Sequence, residues 1–456
     1  MRVSCSQETL RYNSYHITAA FFPKEEIQSC LEPEQKASVI VTDDDGKILA
    51  EAFGNSKKET EHELFRALSQ LTGRILPWGT LTGVRPVKLA SSRLNEGMSE
   101  EDYIAWAYKE RLVSPEKAAL SYRIARKEKM IIEKALAKAA DQSYSLYIGI
   151  PFCESICSYC SFSSGSISDW AGSVDPYLDA LISELKEKSA ACSKMRLGTI
   201  YIGGGTPTSL TASRLERLLD AVCEYFPADK ALEFTLEAGR PDSITKEKLR
   251  AAKDHSVTRI SINPQSMQQK TLDIIGRRHS VKDVYDAFAL ARAAGFDDIN
   301  MDIITSLPGE SLEDIKDTLR QIETLSPENL TVHSLAIKRS AALKRQEADP
   351  ALALAMTEEA HSAAGRMGLE AYYLYRQKGI AGNLENAGFA RPGFEGIYNV
   401  LIMEEVQTII ACGAGAKSKI ILSDPVPDPR RPGKMTAVIR KANAKAIDEY
   451  IRRSVL

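Results

Sequence analysis

The stretch "SLYIGIPFCESICSYC", residues 145–160, decides the fold. Its first six residues form a short apolar run of strand length. Cys153, Cys157 and Cys160 follow at once, three of the chain's eight cysteines in the spacing C-x3-C-x2-C. A thiol-rich loop placed just after a strand points to chemistry at a strand's C-terminal end, where parallel α/β sheets keep it. A closed zinc site would need a fourth Cys or His at ligand spacing, and the next histidine is His255. A dithiol redox site would need only two thiols. Three thiolates can hold three irons of a 4Fe–4S cube and leave one iron open to a non-protein ligand.

Outward from this loop the chain keeps a regular rhythm. Apolar runs at 145–150, 197–204, 232–238, 257–263, 297–305 and 329–337 alternate with amphipathic stretches. Ser280 with Asp283, and Ser311 with Asp314, are capping boxes that start two of the intervening helices. Six strand–helix alternations predict a parallel α/β sheet over residues 143–345. Residues 1–142 read as a separate α+β unit. There "SYHITAAFF" and "KASVIVTDDDGKILAEAFG" alternate as strands, the second around the turn "DDDG". A helix is expected from Lys57 to Leu71, and another from Ser114-Pro115-Glu116, a cap followed by proline at the first helical position. Residues 346–456 lose the alternation and end in the loop "SDPVPDPRRPG", a strand and a helix.

Composition narrows the class. Hydrophobic residues are 44% and charged residues 26%, and the net charge is −2. This near-neutral balance gives no electrostatic case for a nucleic-acid partner. No apolar run has the length of a membrane span, and the first residues lack the apolar core of a signal peptide. The cytoplasm is the expected location, where thiols stay reduced, and a cysteine cluster there points to metal rather than to a disulfide. Cys5, Cys30, Cys192, Cys223 and Cys412 are scattered and read as packing residues.

With these residues in view, the chain resembles the radical S-adenosylmethionine enzymes, whose signature is C-x3-C-x2-C after the first strand of a partial α/β barrel. The string "GGGTPT" at 203–208 resembles one branch, the oxygen-independent coproporphyrinogen III oxidase family with its haem-chaperone and haem-opening relatives. The fold implied is a partial (β/α)6 barrel, 143–345, with an N-terminal α+β domain, 1–142, of unknown role and a C-terminal closing domain, 346–456. The implied cofactors are a 4Fe–4S cluster on Cys153, Cys157 and Cys160 and S-adenosylmethionine, one molecule on the open iron and a second nearby. By position, Tyr147, Tyr159, Gly204, Gly205, Thr206 and Glu237 match contacts of the first molecule. Gln265, Arg277, Asp302 and Ala336 match contacts of the second. Lys417 in "CGAGAKS" falls where the family has another first-molecule contact, with a different side chain.

The leading unit, "PWGTLTGVRPVKL" and "EAGRPD" are similar to the variant branch called coproporphyrinogen dehydrogenase. The activity this implies is oxidative decarboxylation of two propionates of coproporphyrinogen III to vinyl groups, giving protoporphyrinogen IX, through a 5′-deoxyadenosyl radical. Tyr147 and the cluster cysteines would be its catalytic residues. A flavodoxin or ferredoxin would supply low-potential electrons. The same resemblance leaves two rivals, a haem-opening radical methyltransferase and a non-enzymatic haem chaperone. Arg376 or Lys378 within "YYLYRQKG", and Arg85 or Lys88, suit either propionates or ordinary surface positions. His279, His333 and His361 read first as packing or surface residues.

Overall fold

The computed structural model describes residues 1–456 except 75, 138–142, 162–164, 338–340, 344–348, 378–379, 430–432 and 455–456. The expected boundaries at 142 and 345, and Lys378, fall outside the described residues.

The chain opens with β1 (Arg2–Cys5), α1 (Glu8–Phe21), β2 (Gln28–Leu31), β3 (Val39–Thr42), β4 (Ile48–Ala52) and α2 (Lys57–Thr72). The four strands form one sheet in the order β2-β1-β3-β4, closed over its own core by Val3, Phe21, Val41, Leu64 and Leu68. The "DDDG" turn joins β3 to β4 as an antiparallel hairpin, as the alternation predicts. "SYHITAAFF" is helical, not a strand. Its buried residues, Leu10, Ser14, Ile17, Thr18 and Phe21, follow helical spacing, and the period-2 pattern visible over 14–22 is a coincidence of a short window. Helices α3 (Val87–Asn95), α4 (Glu100–Arg111) and α5 (Pro115–Ala137) follow. Their buried residues, Trp78 before them and Tyr103, Ala107 and Ile124 within them, join the core of the following sheet.

That sheet carries the site. Its parallel strands are β5 (Ser143–Ile150), β8 (Arg196–Gly204), β9 (Glu233–Gly239), β10 (Arg259–Ile262), β11 (Ile299–Thr305) and β12 (Asn329–Ser334). A two-residue ladder, β6 (Phe152–Cys153) with β7 (Gly165–Ser166), lies in the cysteine loop. The six strands pair in sequence order, every pair parallel. Between them run α6 (Val174–Ala191), α7 (Ala212–Tyr225), α8 (Lys246–Asp254), α9 (Gln269–Ile274), α10 (Val281–Ala293) and α11 (Leu312–Leu325). On α7, Leu215, Leu218, Leu219 and Val222 are buried one helical turn apart; each such side chain stabilises the packing by about 1.5–3 kcal/mol. Both predicted capping boxes form at the starts of α10 and α11.

After α12 (Pro350–Arg366), the chain adds strands at both edges: β13 (Glu370–Tyr375) and β14 (Asn386–Ala390) beyond β12, and β15 (Thr408–Cys412), β16 (Lys417–Pro427) and β17 (Met435–Ala442) beyond β5. The eleven-stranded sheet leaves β13 and β17 as free edges. The barrel is therefore partial. The short α13 (Ile397–Glu404) between these additions packs on α5, β8 and β13, and α14 (Ile447–Ser454) packs on α6. No described helix is long and apolar enough to cross a membrane.

Candidate functional site

The cysteine loop is clamped from three directions. Cys160 N–H donates to Cys157 O at 3.0 Å, closing the turn, and Ser158 N–H donates to Ile275 O at 3.0 Å. Arg240, just past β9, is forked on Asp242 at 3.0 and 2.7 Å while its Nη1 reaches Ser155 O at 3.1 Å and Oγ at 2.6 Å. Buried Arg277 donates to Asn263 O, and burial, which would lower it, is outweighed by the neighbouring Tyr159 and Cys157, which favour its charged form. Cys153 and Cys157 are buried and Cys160 half-buried. All three line one cavity of about 550 Å³ at the C-terminal ends of the strands. Among the described residues no three His, Cys, Asp or Glu side chains converge as around one metal ion; three thiols spread around a cube do not need to.

The glycine string answers a spatial demand. A Cβ on Gly205 would lie 2.5 Å from Phe152 O and 3.0 Å from Cys153 Sγ, and one on Gly203 would lie 2.7 Å from a Glu237 carboxylate oxygen. Gly204 adopts φ +112, a conformation costly for any side-chain-bearing residue. Gly205 and Thr206 N–H donate at 2.7 Å to Ile150 O and Phe152 O, and Thr206 Oγ1 lies 3.6 Å from Cys153 Sγ. The string thus fixes the end of β8 against the thiol loop.

Tyr147, Tyr201 and Tyr398 stack along one wall, with centroids 6.2 Å (147–201), 4.6 Å (201–398) and 6.5 Å (147–398) apart and rings within 22° of parallel. Burial pushes the Tyr147 phenol up, reinforced by Glu237, so it stays a neutral donor. Tyr201 donates to Glu237. Burial lifts the Glu237 carboxyl to about 7; the Tyr201 bond opposes this and the nearby Asp302 charge adds to it. Burial would lift Asp302 too, but His333, 3.7 Å away, and Asn300 and Thr331 outweigh it and hold Asp302 below the ordinary range.

Gln265, Arg277, Asp302 and Ala336 line the same cavity as Tyr147, Tyr159, Gly204, Gly205, Thr206 and Glu237. Gln265 sits at φ +68, and its buried Oε1 finds no hydrogen-bond partner among the described residues. A strained residue presenting an unsatisfied acceptor into a cavity is the mark of a ligand contact. Lys417 lies elsewhere: it is exposed at the first residue of β16 and does not line the cavity. Arg85 bonds Met403 O at 2.7 Å and Glu405 at 3.1 Å, outside the cavity. Neither ring nitrogen of buried His279 has a hydrogen-bond partner among the described residues, and His361 is half-buried 3.8 Å from Glu385, as packing residues would be. Tyr201, Tyr398 and Arg240 belong to the site and were not singled out by sequence; His333, read first as a packing or surface residue, lines the cavity beside Asp302. The signal for His333 was its place two residues after Thr331 on the inward face of a strand.

A partial barrel with three thiols at the end of its first strand defines the radical SAM superfamily, and residues 147–322 match the model of that superfamily. The chain is 40% identical over 412 residues to the oxygen-independent coproporphyrinogen-III oxidase-like protein HemZ of Bacillus subtilis, covering 88% of this chain and 79% of that protein. It is 34% identical to the heme chaperone HemW of the same organism, over 60% of this chain and 71% of that one. The crystal structure of coproporphyrinogen III oxidase (HemN) from Escherichia coli, described as a radical SAM enzyme, aligns with TM-score 0.53 at 22% identity over 71% of each chain. The protein belongs to the HemN-like, oxygen-independent coproporphyrinogen-III oxidase-like family of radical SAM proteins. Its cofactors are those of the superfamily, a 4Fe–4S cluster and S-adenosylmethionine. The thiols on one wall, the strip that a Cβ would fill and the unsatisfied Gln265 oxygen fit them.

Proposed function

We propose that the protein decarboxylates two propionate side chains of coproporphyrinogen III to vinyl groups in porphyrin biosynthesis. The observation that carries this reading is the enclosure, in one cavity of about 550 Å³, of the three thiols at one strand end and the Asp302–His333 pair at another. Similarity over most of the length of an oxidase-like relative supports the substrate class.

When bound, the cluster with S-adenosylmethionine supplies one-electron chemistry able to remove hydrogen from an unactivated carbon. Cys153, Cys157 and Cys160 would hold it, with Arg277 and Arg240 fixing their loop. Glu237 would accept from ribose hydroxyls, and the Tyr147–Tyr201–Tyr398 wall would shut out water and offer flat surface to a ring. Gln265, Arg277, Asp302 and Ala336 would receive a second S-adenosylmethionine, Arg277 through its carboxylate. Each propionate loses one hydrogen atom and one carbon dioxide, and one electron passes to an acceptor. A low-potential donor such as flavodoxin or ferredoxin is the partner required.

The likeness to HemW favours a second reading, haem carriage without turnover. Anaerobic reconstitution, followed by mass spectrometry of 5′-deoxyadenosine and tetrapyrrole with Cys157→Ala as control, separates the two. Mono- and divinyl products lost in the variant support decarboxylation. Deoxyadenosine over an unchanged tetrapyrrole refutes the substrate; tight haem binding with neither product moves the case to the carrier.

A further inference from the structure

A second cavity, of about 290 Å³, lies where the N-terminal unit meets the barrel. Its apolar wall is built by Phe22, Ile27, Phe65, Leu81, Ile337 and Ile380. Leu335 and Gln377 line both this cavity and the thiol-bearing one, so the two compartments share a partition.

At that partition lies Arg376, only 5% exposed. Its backbone N–H is held by Val84 O at 2.7 Å. Nη1 donates to Leu81 O at 2.7 Å, Nη2 donates to Asn383 O at 3.1 Å and Oδ1 at 2.5 Å, and Trp78 lies under the guanidinium at 5.7 Å. Its buried Nε has no partner among the described residues. All of these contacts are neutral. The carboxylate that influences it, Glu385, is already committed to Lys117 and to Trp78 Nε1 at 2.7 Å. Among the described residues, two buried cations therefore draw on one buried anion, and burial pulls Arg376 down to about 10. An uncompensated buried charge is expensive, and here it faces a cavity.

We propose that this cavity is a substrate compartment in which Arg376 receives a carboxylate of a ligand with an apolar body, the ligand reaching past Leu335 and Gln377 toward the thiols. Resting on the function proposed above, the ligand is the propionate-bearing tetrapyrrole, and the carboxylate held is one that is not being decarboxylated. The N-terminal unit thereby supplies one wall of the substrate site.

Fluorescence titration of the full-length, cluster-free protein with coproporphyrin III and with its tetramethyl ester tests this without turnover. Arg376→Gln is expected to weaken coproporphyrin III about tenfold or more, the worth of a charge-assisted contact. Arg376→Lys should keep most of the affinity. The ester should bind wild type and Arg376→Gln equally weakly, which a merely structural role for Arg376 would not produce. Ala20→Phe, which fills the cavity from α1, should weaken the acid while leaving the circular dichroism unchanged, and it decides the matter together with Arg376→Lys if Arg376→Gln does not fold. Unchanged affinity in Ala20→Phe and Arg376→Gln overturns the compartment and leaves the proposed function standing. Equal loss for acid and ester overturns the role of Arg376. No saturable binding of coproporphyrin III to wild type overturns the substrate reading, and this inference with it.

Discussion

Replacing Glu237 by Gln should stabilise the cluster-free protein at high pH while weakening its hold on S-adenosylmethionine. Glu237 lies within the barrel, where burial lifts its carboxyl from the ordinary 4.5 to about 7. At about 1.4 kcal/mol per pH unit, that gap corresponds to about 3 kcal/mol. The folded state favours the protonated acid, so the stabilisation is complete below 4.5 and is lost as pH rises through 7. Above pH 7 the wild type folds with a buried anion that Tyr201, a backbone N–H at Gly204 and the nearby His333 relieve only in part. Glutamine has the same shape, keeps an acceptor for Tyr201 and does not titrate. The stability difference between variant and wild type should grow from near zero at pH 4 to about 3 kcal/mol at pH 8, reduced by any cost of burying the amide N–H groups. Guanidinium denaturation across this range, followed by tryptophan fluorescence, measures it. A difference that does not change with pH, or a variant less stable at pH 8, refutes the assignment of a raised carboxyl. The same variant should bind S-adenosylmethionine more weakly, the usual trade between stability and function at a site.

Gly205→Ala should sharply lower cluster loading, because its methyl would meet Phe152 O and Cys153 Sγ at 2.5 and 3.0 Å, whereas Gly83→Ala, which meets nothing within 4 Å, should load normally; iron per chain after reconstitution decides. Arg240→Gln removes the fork on Asp242 and the hold on Ser155, and should lower iron retention during dialysis without abolishing loading, while Cys157→Ala abolishes it. Lys117→Met leaves Glu385, wholly buried, without its cation, and should cost about 3–5 kcal/mol in denaturant melts; Lys117→Met with Glu385→Leu should recover much of that loss.

The barrel was legible because a fully buried parallel strand must be apolar over its whole length and because its helices begin with capping boxes. Ser280–Asp283 and Ser311–Asp314 are local signals that need no tertiary context. The failure at α1 has the same cause in reverse. Tyr, His, Ile, Thr and Phe have strand propensity, and only packing against β1 and α2 makes the helical period of Ile17 and Phe21 decisive. The thiols and glycines of the site announced themselves by spacing. Arg240 and His333 did not, since each takes its role from a residue distant in sequence: Ser155 for one, Asp302 for the other. Arg376 was visible as a charge, but its surplus became apparent only when Lys117, from α5, was found to occupy Glu385.

The two acids of the cavity are driven apart by what stands beside them. In register, Glu237 of β9 lies beside Ser261 of β10, and Ser261 beside Asn300 of β11. Asn300 donates to Ser261 Oγ at 3.0 Å and to Asp302 Oδ1 at 2.7 Å, and accepts from Thr331 at 3.0 Å. Inside a barrel such polar side chains must satisfy one another, and the row does so at Asp302's end, where donors accumulate and His333 adds a ring. Glu237, at the other end, receives Tyr201 but lies close enough to feel the Asp302 charge. The result is one carboxylate committed to the anionic form and one poised near neutrality, in a cavity where Arg240 and Arg277 stand on the thiol side. Two environments thus give one residue chemistry two roles. The fixed anion stands beside His333 as a constant negative charge, and the poised one can present the cavity with either a donor or an acceptor.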